Sequence, residues 1–390
     1  MLTRVRVSAF KSLVNFDLKL SKFNCIIGLN GSGKSTVLQL ISYLSSLFQG
    51  NTQQWLDARG WESKEVASHF SPNRETIDII LDYSFDDQDY RWRGGFKRVN
   101  GICTRERLYK INNEGDNRIF YRIIRGLYTA GHDNKIKVNF KYSGSILSAL
   151  HDDVIPHEAK RFRDYMASID SHDLLSPKVM RTGSYSRQGR LGSAGEYLID
   201  HIHRMEKSET EIIRLSLAKY FPQVVKLETK AQSNGTLTML VTERFYNEDG
   251  SHTDIVTDAR HINDGMLRLL NILANQRGGI RFQLFDEIEN GINPEVTEKL
   301  MDSFVGSPQQ TLVTTHSPMV LNYLEEDVAV QSVILVYKRK NGRTGAKHLF
   351  EIPSAKAKLE ELAPGEAMVD LDLGSVGEEA GEMADKEAAN

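Results

Sequence analysis

The run Gly28 to Ser35, GLNGSGKS, fits the pattern GxxxxGKS, follows an apolar strand pattern and opens a helical one. Glycines there let consecutive backbone N–H groups close around an anion at the positive end of the following helix. The chemistry expected is recognition of a triphosphate. Asn30, Gly31, Ser32, Gly33, Lys34, Ser35 and Thr36 would cradle ATP, with Lys34 on the β and γ phosphates and the Ser35 hydroxyl on Mg²⁺. A glycine turn that only caps a helix explains neither the lysine nor the serine. A dinucleotide-binding loop is excluded because GSGKST lacks the final glycine of GxGxxG.

Far downstream, FQLFDEIE places Asp286 and Glu287 at the end of a strand pattern. In a parallel sheet the carboxyl ends of the strands meet at one edge, so Asp286 is expected to hold Mg²⁺. Glu287 is then free to orient and deprotonate an attacking water. Thirty residues past Asp286, THSP puts His316 at another strand end, where it would reach the γ-phosphate or that water. INDGMLRLL opens an amphipathic helix at Asn263, Asp264 and Gly265. A helix N-terminus suits an anion, but the chain's own glycine loop already supplies one, so this terminus would meet the nucleotide of another protomer.

These residues need elements to position them. Strand patterns over 3–9, 16–20 and 23–27 lead into the glycine loop. Val37, Leu38, Leu40, Ile41, Leu44, Leu47 and Phe48 then recur at helical spacing, so one face of that helix should pack on a sheet. Residues 75–145 read as an antiparallel β subdomain of short strands broken by turns. Residues 150–225 read as a mainly helical insertion, and 236–245 with 252–256 as a strand pair. A helix (265–275), a strand (282–285), a helix (294–304) and a strand (311–314) follow at α/β spacing. The fold class expected is α/β, with an ATPase head over 1–360 and an acidic tail over 361–390. That tail holds too few large apolar residues after about Gly374 to fold alone.

Composition bounds the rest. With 390 residues, 40% hydrophobic and 26% charged, the chain is ordinary globular material, which excludes collagen-like or wholly disordered classes. No apolar run approaches the roughly 18 residues of a bilayer span, and the strand-like opening reads as no secretory signal, so the cytoplasm is the expected location, without a membrane partner. Cys25 and Cys103 are too few for a disulfide framework. The net charge of −3 divides into −8 over residues 361–390 and +5 over the remainder. Ten Lys/Arg fall between Arg91 and Arg125, interleaved with Trp92, Phe96, Tyr109, Phe120 and Tyr121. Cations on phosphates and rings on bases would make this a DNA face; a solvated antiparallel sheet gives the same alternation and is weighed slightly above it.

The order of glycine loop, INDG, DE and THSP resembles the ABC-type ATPases, specifically the soluble RecF/SMC/OLD-like branch. The opening RVRVSAFKSLVNFDLKL, GLNGSGKST, QQWLDARGW, INDGMLRLLNILA, DEIENGINPE and VTTHSPMVLNYL all look like the small prokaryotic AAA-type ATPases of that branch, including those of Septu, PARIS and OLD systems. The resemblance implies a P-loop NTPase of ABC-ATPase head type. It makes Asn263, Asp264 and Gly265 the signature motif, Asn290 to Asn293 the D-loop and Glu287 the catalytic base. Two protomers would sandwich two ATP molecules in a homodimer or higher homo-oligomer. Asn263 stands where the family has serine, Arg281 and Gln283 interrupt a strand expected to be apolar, and no segment identifies itself as the glutamine-bearing Q-loop.

Those departures point to slow hydrolysis with ATP as a switch. Transporter ATPases separate loop and signature by about half of the 231 residues found here, as the resemblance implies, and SMC-type chains insert heptads that this one lacks. Only 74 residues follow His316, too few for the Toprim domain of an OLD nuclease. The expected role is therefore a sensor or scaffold controlling a separate effector, a nuclease or toxin of anti-phage defence. A RecF-like DNA-binding ATPase of repair and a non-hydrolysing ATP-binding regulator are the alternatives.

Overall fold

The computed structural model describes residues 1–111, 118–130, 134–172, 175–182, 191–192, 194–232, 235–275 and 280–389. The chain opens with β1 (Leu2–Phe10), β2 (Leu13–Lys19) and β3 (Phe23–Ile27), then α1 (Lys34–Gln49) and α2 (Thr52–Asp57). An antiparallel run follows: β4 (Thr76–Phe85), β5 (Gln88–Lys97), β6 (Cys103–Lys110), β7 (Ile119–Ile124), β8 (Leu127–Ala130) and β9 (Asn134–Lys137). The middle holds α3 (His157–Ala167), β10 (Ile169–His172), α4 (Pro177–Met180), α5 (Leu198–Arg204), α6 (Lys207–Ala218), β11 (Val224–Ala231), β12 (Leu237–Tyr246) and β13 (His252–Asp258). Next come α7 (Asp264–Asn275), β14 (Phe282–Phe285), α8 (Pro294–Gly306), β15 (Gln310–Thr314), α9 (Pro318–Asn322), α10 (Glu326–Ser332), β16 (Val333–Lys338) and β17 (Thr344–His348). The last helices are α11 (Pro353–Leu359), α12 (Pro364–Asp370) and α13 (Leu373–Ala389).

The central sheet runs β10-β14-β15-β3-β16-β17, parallel except for β17. Its middle strands are apolar on both faces because both are covered. Ile26, Phe282, Leu284 and Leu312 face one core, while Cys25, Ile27, Phe285 and Val313 face the other. The first core lies under an eight-stranded antiparallel sheet, β2-β1-β4-β5-β6-β7-β8-β9. α1 is sandwiched between the two sheets, so 12 of its 16 residues are buried rather than the single face that periodicity suggests. The serines on its second side serve as hydrogen-bond partners: Ser42 Oγ accepts from Trp55 Nε1 at 2.8 Å and Ser45 Oγ donates to Ile169 O at 2.9 Å.

Among the described residues the insertion over 150–225 holds α3, α4, α5 and α6, with β10 inside it and the start of β11 at its end. IDSH, too short and polar to announce a strand, adds β10 to the edge of the central sheet beside β14. Gln283 is buried in β14, where its Nε2 donates to Gln309 Oε1 at 3.1 Å, while Arg281 lies just before the strand and is exposed. The acidic tail does not fold alone: α13 buries Val376 and Ala380 against the second core, its Gly377 resting on Tyr337. Among the described residues no helix is long and apolar enough to cross a membrane.

Candidate nucleotide site

β3 delivers the glycine loop to the carboxyl edge of the sheet, between β15 and β16. Gly28 has φ +150°, and a Cβ there would lie 2.1 Å from Val336 O; at Gly33, φ +114°, it would lie 2.5 Å from the Thr344 hydroxyl. Both positions therefore admit glycine alone. Thr344 on β17 also donates to Ser32 O at 2.9 Å, so the last strand of the sheet buttresses the loop.

Lys34 and Ser35 open α1. The Lys34 ammonium is buried and donates to the carbonyls of Gly28 (2.9 Å) and Leu29 (3.2 Å). Desolvation lowers its pKa, opposed by the carboxylates of Asp286, Glu287 and Glu289. Ser35 Oγ donates to Asp286 Oδ2 at 2.9 Å across 251 residues of sequence. Thr314, at the end of β15, donates to Asp286 Oδ1 at 2.5 Å and accepts from the Glu287 backbone N–H at 2.9 Å. One hydroxyl thus fixes both the aspartate and the turn after it.

Glu287 sits in that turn at φ +49°, a left-handed conformation that costs a non-glycine residue about 1 kcal/mol or more. Its carboxylate is exposed and accepts from Asn290 Nδ2 at 3.4 Å. His316 lies exposed at the end of β15, its backbone N–H donating to Glu289 Oε1 at 2.8 Å. The structure therefore brings Lys34, Ser35, Asp286 and Glu287 to one edge, with His316 at the neighbouring strand end.

Hard oxygen donors from Ser35 and Asp286 facing one another suit Mg²⁺, which prefers carboxylate, hydroxyl and phosphate oxygens. Among the described residues the buried Ser32 hydroxyl has no hydrogen-bond partner, and at Gly31, φ +75°, nothing lies within 4 Å of where a Cβ would stand, so the loop is open there. The residues present fit a magnesium nucleotide.

Asn263, Asp264 and Gly265 open α7. Asn263 Oδ1 caps α7 by accepting from Met266 N at 2.8 Å. Asp264 pairs with Arg181 at 2.5 Å, and Arg181 also donates to Ile262 O at 2.8 Å. Gly265 approaches Gly291 so closely that a Cβ would lie 2.9 Å from its carbonyl oxygen, which couples the α7 start to the Asn290–Asn293 turn. Among the described residues, no hydrogen bond or ion pair joins Asn263, Asp264 or Gly265 to the chain's own glycine loop. Thr314, Arg181, Arg268 and Thr344 were not singled out from sequence. Thr314 carries a signal, the threonine before THSP, whereas the others become visible only through tertiary contact. Arg268, one turn into α7, has its Nε buried without a partner; desolvation lowers its pKa against the pull of Asp264 and Glu287.

The basic run is a sheet surface. Trp92, Phe96, Tyr109, Phe120 and Tyr121 are all buried, so none of these rings is open to stack on a base. The rings fill the core side or lie under guanidinium groups, as Tyr109 does under Arg93 and Arg107, which is the solvated-sheet arrangement and not an open aromatic platform.

Comparison with known proteins agrees with this geometry. Residues 23–322 match the family described as "AAA domain, putative AbiEii toxin, Type IV TA system". Over 119 residues the chain is 31% identical to the DNA replication and repair protein RecF of Actinobacillus pleuropneumoniae serotype 5b, covering 30% of this chain and 29% of that protein. RecF of Haemophilus ducreyi matches at 30% identity over the same shares of each chain. The chain thus spans less than a third of the length of these curated relatives. The structure of an SMC head bound to the C-terminal winged-helix domain of ScpA superposes with a TM-score of 0.53 at 16% identity, covering 89% of this chain and 96% of that one, which is a likeness of fold. Glycine loop, paired acids and sheet order thus coincide with a family match over most of the molecule, and the chain belongs to that AAA-domain family.

Proposed function

We propose that the protein binds ATP with magnesium, hydrolyses it slowly, and uses the bound nucleotide to hold two heads together as a switch acting on a separate effector. The observation that carries this reading is the Ser35–Asp286 contact at 2.9 Å, beside a buried lysine and a free acid. In this reading Lys34 and the loop N–H groups bind the phosphates, and Ser35 and Asp286 hold magnesium, which would neutralise charge on them when bound. Glu287, exposed and turned away from Asp286 by its backbone, accepts the proton of the attacking water; His316 orients that water or the γ-phosphate. Asn263, Asp264 and Gly265 of the second protomer close the site. Asn263 replaces the family's serine and has its oxygen engaged in capping α7, leaving only amide N–H donors for the trans contact, which agrees with slow turnover. The family's description names a toxin–antitoxin system, and control of a nuclease or toxin in prokaryotic anti-phage defence is the role we assign to the switch.

The test is Glu287→Gln. It should abolish phosphate release, keep ATP affinity, and shift the protein to a dimer on gel filtration with ATP and Mg²⁺. Unchanged turnover in this variant would overturn the assignment.

A second reading, DNA binding as in replication and repair, is favoured by one row of the outer sheet. Cross-strand pairing sets Arg93 opposite Arg107, and Arg107 opposite Arg122, with no acid in that run. Like charges directly opposite one another destabilise a sheet, so their alignment calls for an anion. With the rings buried, such a face would grip phosphates without reading bases.

A further inference from the structure

The search beyond the nucleotide site leads to a groove of about 650 Å³ between β2, β17 and α13. Its walls carry Arg4, Lys19, Arg339, Arg343, Lys347 and His348. Arg4 is paired within its own sheet to Asp17. Glu351 lies in the lining beside His348, and the acids that form ion pairs with Arg339 and Lys347 come from the C-terminal helix: Asp385 pairs with Arg339 at 2.6 Å and Glu387 with Lys347 at 2.7 Å.

The pairs are unequal in a telling way. The cations are built in, with Arg339 28% and Lys347 13% exposed, whereas Asp385 and Glu387 are 74% and 66% exposed. Cations sequestered in a groove and carboxylates resting on them from outside describe an anion site with a replaceable occupant. Lys19 faces the same groove within electrostatic reach of Glu387, Arg343 faces it with no ion pair to an acid among the described residues, and among those residues the buried Nδ1 of His348 has no hydrogen-bond partner. The helix that brings the carboxylates is weakly self-sustaining. Gly374, Gly377 and Gly381 lie within it, each a poor helix former, and besides Val376, Ala380 and the two ion pairs its seat on the hairpin is the small face of Gly377 and Gly381 on Tyr337.

We propose that this groove is a second, phosphate-recognising site, for an oligophosphate group, and that the carboxylates of α13 occupy it in the state described here. Binding would then lift α13 from β17. Because Thr344 at the start of β17 holds Ser32 and packs on Gly33, the displaced helix also changes the support of the nucleotide loop.

The experiment uses the full chain carrying Lys34→Ala, so that the glycine loop contributes no phosphate affinity, and inorganic tripolyphosphate as the probe in calorimetry. Saturable binding is expected, strengthened at least threefold by Asp385→Asn with Glu387→Gln and lost in Lys19→Ala with Lys347→Ala, while both double variants keep the melting cooperativity of the parent. Hydrogen exchange of α13 should rise when tripolyphosphate saturates. A 20-nucleotide oligothymidylate in place of tripolyphosphate separates the sources of the phosphate: binding of that strand alone, lost in Lys19→Ala with Lys347→Ala, assigns the groove to a nucleic-acid backbone. Absence of saturable binding by either probe, or affinities indifferent to both double variants, overturns the proposal. Since the glycine loop is disabled throughout, these outcomes are independent of whether the ATPase reading holds.

Discussion

The nucleotide edge depends on one hydroxyl that makes two bonds. Thr314 donates to Asp286 and accepts from the Glu287 N–H, so it holds the proposed magnesium ligand and the strained turn that aims the proposed base. Thr314→Val keeps shape and removes both bonds, leaving an amide N–H and a carboxylate oxygen short of a partner. The loss is about 1–3 kcal/mol of ordering at that point. Turnover should fall tenfold or more in a phosphate-release assay, while ATP affinity, which rests on Lys34 and the loop, stays within a few-fold. Lys34→Ala should behave oppositely and abolish ATP binding in a filter or calorimetric assay; unchanged affinity would mean that the site lies elsewhere. The residues of this edge were readable from sequence because each belongs to a short motif with fixed local geometry. Thr344 was harder to read, since a threonine at a strand end means nothing until the neighbouring strand is known, whereas Thr314 at least adjoins THSP.

At the scale of elements, α1 and the antiparallel subdomain are joined through a buried acid that no motif announced. Glu106 on β6 accepts hydrogen bonds from Ser145 Oγ (2.8 Å), Ile146 N (2.9 Å) and Tyr121 Oη (3.1 Å) in full burial. Tyr121 in turn accepts from Trp92 Nε1 at 2.9 Å, and Ser145 N donates to Leu47 O of α1 at 2.9 Å. Desolvation raises the Glu106 pKa more than these donors lower it. A folded-state pKa above the unfolded one means that the native protein keeps a proton the unfolded chain releases. The contribution is complete below the ordinary carboxylate range and declines as pH rises through the raised value. Glu106→Gln carries the neutral form at every pH. Thermal melts of the variant and parent should therefore lie closest near pH 5 and separate toward pH 8 in favour of glutamine; a gap that widens toward acid would contradict the assignment. Alternation and turn signals marked this stretch as short antiparallel strands without placing each one, and the RGG read as a turn lies inside β5. Burial of an acid in their midst was not legible, because Glu106 sits in an alternating RERLYK where its face is set only once β7 and residues 145–146 pack on it.

On the scale of the whole molecule, charge is arranged by position along the outer sheet rather than by net amount. Across β1, β2, β4 and the start of β5 the cations are answered: Arg4 by Asp17, and Arg6 and Arg91 by Asp82. Two residues further along β5 begins the row Arg93, Arg107, Arg122, which continues through Thr129 to Lys135 with no carboxylate in it. Overall composition, slightly acidic at −3, conceals this because eight of the excess negative charges lie in the last thirty residues. The basic run was visible in sequence, but its alignment was not, since register is decided by turn lengths and bulges. If the row grips a phosphate backbone, each arginine contributes about 0.7 to the slope of log affinity against log salt for a single strand. Arg93→Ala, Arg107→Ala and Arg122→Ala together should flatten that slope by about 2 and weaken binding of any sequence alike. Removing like charges from opposed positions also relieves repulsion, so the triple variant should melt no lower than the parent. That opposition of effects separates a nucleic-acid face from a solvated sheet. A surface without a ligand would gain the same stability and show no change in slope, and DNA-stimulated ATP turnover lost in the triple variant would tie the row to the nucleotide edge.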